Sequence, residues 1–330
     1  WFMGCHNPII MCVIFCAFAD SIFKQVGLQK NDKLVVFMYL GIAYCLMMGQ
    51  ILFPFISTGL TLVMAYGAMF PDNPIDIVPY LLYMVVVGVA MATVYVLLMR
   101  FVFRVDASPI ANFKTEGGVP AATREQKIAL SIFVLFIVLM LAQSLPLGPV
   151  KAFLGKFGLI GLTLILGCVC ALLKDREGKP LCNLEKMFHM CNWGQVTMVG
   201  YIMVCATYMN TPDTGISTAM AALIKPFAAL PPLVFIVVAL ALGVVLTNVA
   251  NNMIVCVLIM PFMVNFGMSI GMAPTAMVAL LFFMAQFAIA TPAASPVTAV
   301  AMTQEMADAN VMTKAALKII PLLFICGLLI

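Results

Sequence analysis

The amino-acid sequence predicts an all-α polytopic membrane protein that contains an inverted repeat and interrupted transmembrane helices. Three observations lead to this fold class: the composition, the length of two apolar runs, and a similarity between the two ends of the chain. The 330 residues are 64% hydrophobic and only 9% charged, and the mean hydropathy is +1.14. Because a soluble domain carries about 25% charged residues, we expect the chain to lie in a lipid bilayer.

Two apolar runs have a length that does not suit simple spans. Leu34–Phe70 and Leu230–Phe266 each contain 37 residues, whereas one span needs about 20. Each run is too long for one span and too short for two spans with a loop. We therefore predict broken helices or re-entrant hairpins, which exist at membrane depth only where protein buries them or where they line a cavity. The other apolar runs are Trp1–Phe18, Ile77–Met99, Ile128–Leu145, Val150–Leu173, Val196–Met209, Met272–Met302 and Ala315–Ile330.

The distribution of Lys and Arg predicts which connections face the cytoplasm. Basic residues cluster in three connections, around residues 24–33, 100–127 and 174–186. The positive-inside rule places these connections in the cytoplasm, and two crossings separate each successive pair. On this scheme Leu230–Phe266 starts from the outside and Gln304–Thr313 lies inside. Lys151 and Lys156 then fall on the outer side.

The two ends of the chain resemble each other at a slowly drifting offset. The segment that begins at Asn7 matches the segment that begins at Asn252, at an offset of 245, and Gly27 matches Gly271 at 244. Pro54 and Pro79 match Pro296 and Pro321, both at 242. If the sidedness above holds, the two copies have opposite orientations. An inverted repeat places a substrate site at mid-membrane, where broken helices of both halves meet.

Polar residues cluster in regions that carry no charge. No Asp, Glu, Lys, Arg or His occurs between Lys225 and Glu305, and none occurs in Leu34–Phe70. The polar clusters in these regions are Thr247–Asn252, Ala290–Pro296, Gly49-Gln50, and Ser57-Thr58-Gly59 after Pro54.

Such clusters can bind ions without a protein charge. Proline frees a backbone carbonyl one turn earlier, freed carbonyls and hydroxyls can coordinate Na+, and helix N-termini can hold a carboxylate. Four polar groups within Thr247–Asn252 are costly to bury unpaired, although single Ser, Thr or Asn residues often only pack or kink helices. The pattern argues against proton-relay pumps, which need buried carboxylates or His.

An enzyme is not expected from this sequence, and neither is a nucleic-acid-binding protein. His6 and His189 are the two histidines and fit no nucleophile or metal pattern, and there is no basic face for nucleic acid. The 11 Cys lie mostly in apolar segments without a CxxC or CxxH pair, so we interpret them as small core residues.

At the polar clusters the chain resembles the divalent anion–sodium symporter family of the ion transporter superfamily. That family has a Ser-Asn-Thr motif at each of two hairpin tips and a Thr-Pro-Pro-Asn-like break after each hairpin. The segment Leu246–Met253 resembles the second tip, where Asn248 matches, Thr247 is a conservative replacement of Ser, and Val249 departs. The segment Ala290–Ala294 resembles the second break, with Ala293 and Ala294 in place of Pro and Asn. In the first half, Gly4-Cys5-His6 stands at the tip, and Gly49, Pro54 and Ser57 lie in the break region.

The resemblance implies a fold of two re-entrant hairpins and two broken helices, divided as follows. Residues 1–103 form a truncated first repeat, residues 104–126 a cytoplasmic linker, and residues 127–330 the second repeat. In the second repeat the hairpin spans about 230–266 and the broken helix about 272–302. The family's helices before the first tip have no counterpart here, so we expect the chain to be a fragment of a longer protein.

The resemblance also implies a function: sodium-coupled symport of di- or tricarboxylates or similar anions, by an elevator-type motion of a homodimer in the plasma or inner membrane. The anion is expected to contact Thr247, Asn248, Ser57, Thr58, Thr291 and Pro292. Sodium is expected at Asn248, Asn251, Thr291, Ser295, Gly49 and Gln50. The alternatives are a superfamily relative that moves another solute, coupled to protons or uncoupled, and a membrane protein that does not transport.

Overall fold

The computed structural model describes residues 1, 7–55, 57–111, 123–144, 148–174 and 231–330, together with scattered positions between 178 and 222. In this part of the chain the regular structure is helical, apart from an isolated bridge between Lys174 and Pro180. It contains five helices that are long and apolar enough to cross a membrane. The composition therefore predicted the class correctly, since the protein has the character of a helical membrane protein.

We number the described helices in chain order. The first group is α1 Pro8–Gln25, α2 Lys33–Gly49, α3 Ser57–Met69, α4 Ile77–Leu97 with a π-helical turn at Leu98–Val102, and the short α5 Ser108–Ala111. Next come α6 Arg124–Ser144 and α7 Pro149–Leu172. The last group is α8 Pro232–Val249, α9 Asn252–Ser269, α10 Pro274–Ala285, α11 Pro296–Met302 and α12 Ala309–Leu328.

The chain divides into two compact units. One unit comprises residues 1–75, 79–114 and 199–330, and it contains all of the predicted site residues. The other comprises residues 76–78 and 115–198, where α6 and α7 pack against each other. The site can therefore be described within the first unit alone.

Helices α8 and α9 form a helical hairpin in place of the long run Leu230–Phe266. Each arm is long and apolar enough to cross a membrane, so the prediction that this run is too short for two spans was wrong. The turn lies at Ala250 and Asn251, slightly beyond its predicted position near Thr247 and Asn248. The reason is local: Thr247 Oγ1 and Asn248 Nδ2 donate to the Val244 carbonyl, at 3.0 and 2.7 Å, and such bonds to the preceding turn are compatible with a helix. Asn251 instead caps α9, because its side chain accepts from the Met253 N–H at 3.0 Å.

Two helices are interrupted in mid-course. Helix α2 ends at Gly49 and helical structure resumes at Ser57, while α10 ends at Ala285 and helical structure resumes at Pro296. We call residues 50–55 the first break and residues 286–295 the second break. The second break contains Thr291 and Pro292, where the sequence predicted a lapse of helical hydrogen bonding.

The helices before and after the breaks form two series with the same order: α1 to α4, and α9 to α12. Helices α1 and α9 both contain 18 residues. Both end in a Schellman cap with a left-handed glycine, Gly27 at φ 72° and Gly271 at φ 79°. The matching bonds run from the Leu28 N–H to the Phe23 carbonyl at 2.9 Å and from the Met272 N–H to the Gly267 carbonyl at 2.8 Å.

The two series are interlocked. Helix α11, which follows the second break, packs against α1 of the other series, and α3, which follows the first break, packs against α9. Each helix that follows a break is therefore held by the opposite series. This crossed packing brings the two breaks together.

A polar clamp joins the loop between α1 and α2 to the loop between α11 and α12. Lys30 forms a 2.6 Å ion pair with Asp308, the Asn31 amide donates to the same carboxylate at 2.7 Å, and the Asn31 N–H donates to the Met306 carbonyl at 2.9 Å. The Lys30 ammonium, with help from the Asn31 amide, holds the pKa of the Asp308 carboxyl below its ordinary value. Both loops lie at one end of this unit.

Candidate binding site at the two helix breaks

Asn248 holds the second break from the end of α8. Its side chain is 8% exposed. The Nδ2 atom donates to the Phe287 carbonyl at 2.9 Å, and the Oδ1 atom accepts from the Ala290 N–H at 2.8 Å. The hydroxyl of Thr291 returns a bond to the Asn248 carbonyl at 2.7 Å. A single residue near the hairpin turn therefore fixes both a carbonyl and an amide of the break.

Other helices supply further donors to the second break. Thr298 on α11 donates to the Ala288 carbonyl at 2.6 Å, and Thr313 on α12 donates to the Ala290 carbonyl at 2.7 Å. Asn252 on α9 donates from its backbone N–H to the Ala294 carbonyl at 3.0 Å and from its side chain to the Ala285 carbonyl at 3.2 Å. Carbonyls near the second break are thus satisfied by side chains and by one backbone N–H, as burial requires.

The first break is held in a different way. The Tyr80 hydroxyl on α4 donates to the Ile51 carbonyl at 2.6 Å, and the Leu52 N–H donates to the Gly49 carbonyl at 3.1 Å. A Cβ atom on Gly59 would lie 2.4 Å from the Phe53 carbonyl oxygen. Only glycine permits this close approach of α3 to the break.

A pair of glutamines joins the two breaks. Gln50 caps the C-terminus of α2 and Gln286 caps the C-terminus of α10. Gln50 Nε2 donates to Gln286 Oε1 at 2.8 Å, and Gln50 Oε1 accepts from the Thr58 hydroxyl at 2.9 Å. All three side chains are buried.

A second link between the breaks runs through a methionine. The Met47 sulfur on α2 is approached by Gln50 Nε2 at 3.2 Å and by the Ser295 hydroxyl at 3.3 Å. Ser295 in turn caps α11, accepting from the Thr298 N–H at 3.1 Å. The polar groups of the two breaks therefore form one continuous network.

The network contains no charged side chain. Residues 226–304 and 34–70 carry none at all. Val249 at the hairpin turn is 73% exposed, and Pro292 and Ala293 in the second break are exposed as well. The hairpin turn and the second break thus combine an accessible edge with a buried, neutral polar interior.

The structure brings most of the predicted site residues together. Asn248, Thr291 and Ser295 surround the second break, and Gln50 and Thr58 surround the first. Thr247 is fully buried and uses its hydroxyl within its own helix. Asn251 caps α9, Gly49 is the last residue of α2, and Pro292 is exposed. The Ser57 side chain and the predicted first tip at Gly4-Cys5-His6 lie outside the described residues.

Sequence reasoning missed several residues of the network. Gln286 is the plainest omission, because it is an isolated amide in an apolar run, as Gln50 is in its own run. Thr298, Thr313, Tyr80 and Met47 gave no sequence signal, since a hydroxyl or thioether on an apolar helix is ordinary. Their roles depend on tertiary packing.

A carboxylate was also missed. Among helices α1 to α5 and α8 to α12, Asp20 on α1 is the one acidic side chain, and it accepts a hydrogen bond from the Tyr39 hydroxyl on α2. Tyr39 precedes Gln50 by three turns, about 16 Å along the helix axis. Asp20 therefore does not neutralise a charge at the breaks.

Comparison with known proteins gives no identification. No family model matches the chain, and no curated protein matches it.

Proposed function

We propose that the protein is a secondary active transporter that carries a small divalent anion, such as a di- or tricarboxylate, together with Na+. The observation that carries the proposal is the meeting of two helix breaks in one buried, uncharged polar network. Interrupted helices at a repeat interface are the usual site of substrate and coupling ion in secondary transporters. Asn248, Thr291, Ser295, Gln50 and Thr58 are the side chains we assign to it.

The inverted repeat is part of the proposal and has structural support. The two series share element order, Schellman caps and crossed packing of the helices that follow the breaks. In an inverted repeat the α8–α9 hairpin would be re-entrant, and its turn would reach the middle of the bilayer. We further propose a homodimer in the plasma or inner membrane that works by an elevator-type motion.

The lack of charged side chains at the site supports the proposal of sodium coupling. A divalent anion at the breaks meets backbone N–H groups and neutral side chains, so a bound cation would be the largest local charge. Binding of Na+ and binding of the anion must then strengthen each other by the same factor. Anion affinity should rise steeply with Na+ concentration.

The function can be tested by uptake into liposomes that contain the purified protein. Labelled succinate, citrate and sulfate are supplied with an inward Na+ gradient, and K+ replaces Na+ in the control. We expect uptake of at least one anion only with Na+. Equal uptake in K+ would support a relative with another coupling ion. Absence of uptake, with no thermal shift from any of the anions, would support a protein that does not transport.

Binding to variants tests where the site lies. Asn248→Ala should weaken Na+ and anion together, by roughly 1–3 kcal/mol, because buried groups lose their partner. The matched control is Asn265→Ala, since Asn265 lies on α9 of the same hairpin but is exposed. Calorimetry across a Na+ series measures both affinities. Normal binding by a folded Asn248→Ala variant would remove the second break from the proposed site.

A further inference from the structure

Gln50 and Gln286 occupy the same position in the two series. Each is the C-cap of the helix that leads into a break, α2 or α10. They are 5% and 0% exposed, and their side-chain amides bond to each other at 2.8 Å. The contact therefore joins equivalent positions across the series, at the point where both helices stop.

The pair is anchored on both sides. Gln286 Nε2 donates to the Phe282 carbonyl at 2.6 Å, one turn back on α10. Gln50 Oε1 accepts from Thr58, in the first turn of α3. The contact thus connects the last turn of α10 to both helices that flank the first break.

Gln286 also lies next to the groups that hold the second break. It precedes Phe287, whose carbonyl accepts from Asn248. A ligand that displaces residues 287–290 from Asn248 must move the end of α10, and with it Gln286. Met47 gives a parallel link, because its sulfur lies near both Gln50 and the α11 cap Ser295.

We propose that the Gln50–Gln286 amide pair couples the two breaks, so that occupancy of one break sets the binding geometry of the other. The two glutamines act as positioning residues, and their contact makes Na+ and anion binding interdependent across the series. An amide pair suits this role because a buried amide that loses its partner is penalised, which resists independent movement of the breaks. The inference rests on the proposed function and adds to it the residues that transmit the coupling.

A double-mutant cycle tests the coupling. The variants are Gln50→Met, Gln286→Met and the double variant, each of which keeps the side-chain volume and removes the amide contact. For each variant, calorimetry gives the Kd of the anion at low Na+ and at saturating Na+. The ratio of these two Kd values measures coupling, and a purely structural role would not lower it selectively. We expect each single variant to reduce the ratio by about tenfold, a typical size for coupling between sites. The double variant should lose no more than either single variant, because each single variant already removes the amide contact.

Gln304→Met is the matched control, because the Gln304 amide bonds to the Val300 carbonyl close to it in the chain and lies outside both breaks. It should leave the ratio unchanged. Folded Gln50→Met and Gln286→Met variants with a wild-type ratio would overturn the inference while leaving the transporter proposal intact. If the anion Kd of the wild-type protein does not change with Na+ concentration, that result would instead contradict the proposed function itself.

Hydrogen exchange on the wild-type protein decides the question if the methionine variants do not fold. Anion added at saturating Na+ should slow exchange in peptides that cover residues 50–58 and in peptides that cover residues 286–298, with the same anion dependence. Protection confined to one of the two segments would overturn the coupling.

Discussion

The two helix breaks are stabilised by different interactions. The first break is crossed by large apolar side chains, Ile51, Leu52, Phe53 and Phe55, and all four are buried. The second is rich in alanine, and its carbonyls accept from Asn248, Thr298 and Thr313, which come from three different helices. The first break is held mainly by shape, and the second mainly by hydrogen bonds.

This difference indicates which break would supply most of the polar surface of the proposed binding site. Thr291, Pro292 and Ala293 leave one edge of the second break accessible, while the rest of the break is buried. The donors around the break could serve a ligand as well as a carbonyl. In the first break the aromatic side chains fill that space, and the polar contribution comes from Gln50 and Thr58 at its ends. Variants at the two breaks should therefore fail for different reasons.

The largest effect is expected at Asn248. Asn248→Ala leaves the Ala290 N–H and the Phe287 carbonyl without their side-chain partner, which should lower the free energy of unfolding by about 2–4 kcal/mol. Thermal denaturation in detergent measures the loss, and Asn265→Ala on the same hairpin should stay within about 0.5 kcal/mol, as an exposed substitution does. A similar melting temperature for both variants would mean that the second break is not held by hydrogen bonds.

A glycine in the first break tests whether shape holds it. Gly59→Ala would place a Cβ atom 2.4 Å from the Phe53 carbonyl oxygen, a backbone atom that cannot turn aside. We expect a loss of about 1–3 kcal/mol from the forced backbone shift.

The matched control for this substitution lies on the same helix. A Cβ atom on Gly67 would have no neighbour within 4 Å, so Gly67→Ala should be neutral or stabilise by up to about 1 kcal/mol through helix propensity. If the Gly59→Ala and Gly67→Ala variants have the same melting temperature, the close approach of Gly59 to the Phe53 carbonyl does not constrain the first break.

Two hydroxyls allow a direct comparison of the breaks. Tyr80→Phe removes the donor to Ile51, and Thr313→Val removes the donor to Ala290. Tyr80 is fully buried, so the orphaned carbonyl should cost about 1–2 kcal/mol, whereas the half-buried Thr313 should cost less, about 0.5–1 kcal/mol. Thermal denaturation of both variants shows which one loses more stability. A larger loss in Thr313→Val than in Tyr80→Phe would show that the second break depends more on its hydroxyl donors than their burial suggests.

The sequence predicted the hairpin and the second break because both carry local signals. Proline at positions 292 and 296 and the polar residues of 247–252 interrupt an otherwise apolar pattern. It placed the hairpin turn slightly early, because a Thr or Asn that bonds to the preceding turn of its own helix looks the same in sequence as one that ends the helix.

The cross-series contacts could not be predicted. Gln50 was recognised as polar, but its partner Gln286 lies 236 residues away, and nothing local specifies that the ends of α2 and α10 meet. The roles of Tyr80 and Thr313 likewise follow from packing rather than from pattern. Hydrophobic periodicity and helix-breaking residues locate a helix break within one segment of the chain. The contact between two helix breaks depends instead on the tertiary structure.

The smallest effect is expected at the polar clamp that joins the loop between α1 and α2 to the loop between α11 and α12. Lys30 and Asn31 hold the pKa of Asp308 below its ordinary value, so the folded protein binds this proton less readily than the unfolded chain. The contribution of Asp308 to stability is therefore present above the unfolded pKa, about 3.9, and is lost as pH falls through the lower folded pKa. Asp308→Asn should remove this acid dependence and lower the melting temperature only slightly at pH 7, because the pair is exposed. Asp72→Asn, in the exposed loop before α4, is the control. A melting temperature that falls equally steeply with acid in Asp308→Asn and in wild type would show that the clamp does not contribute to the acid response.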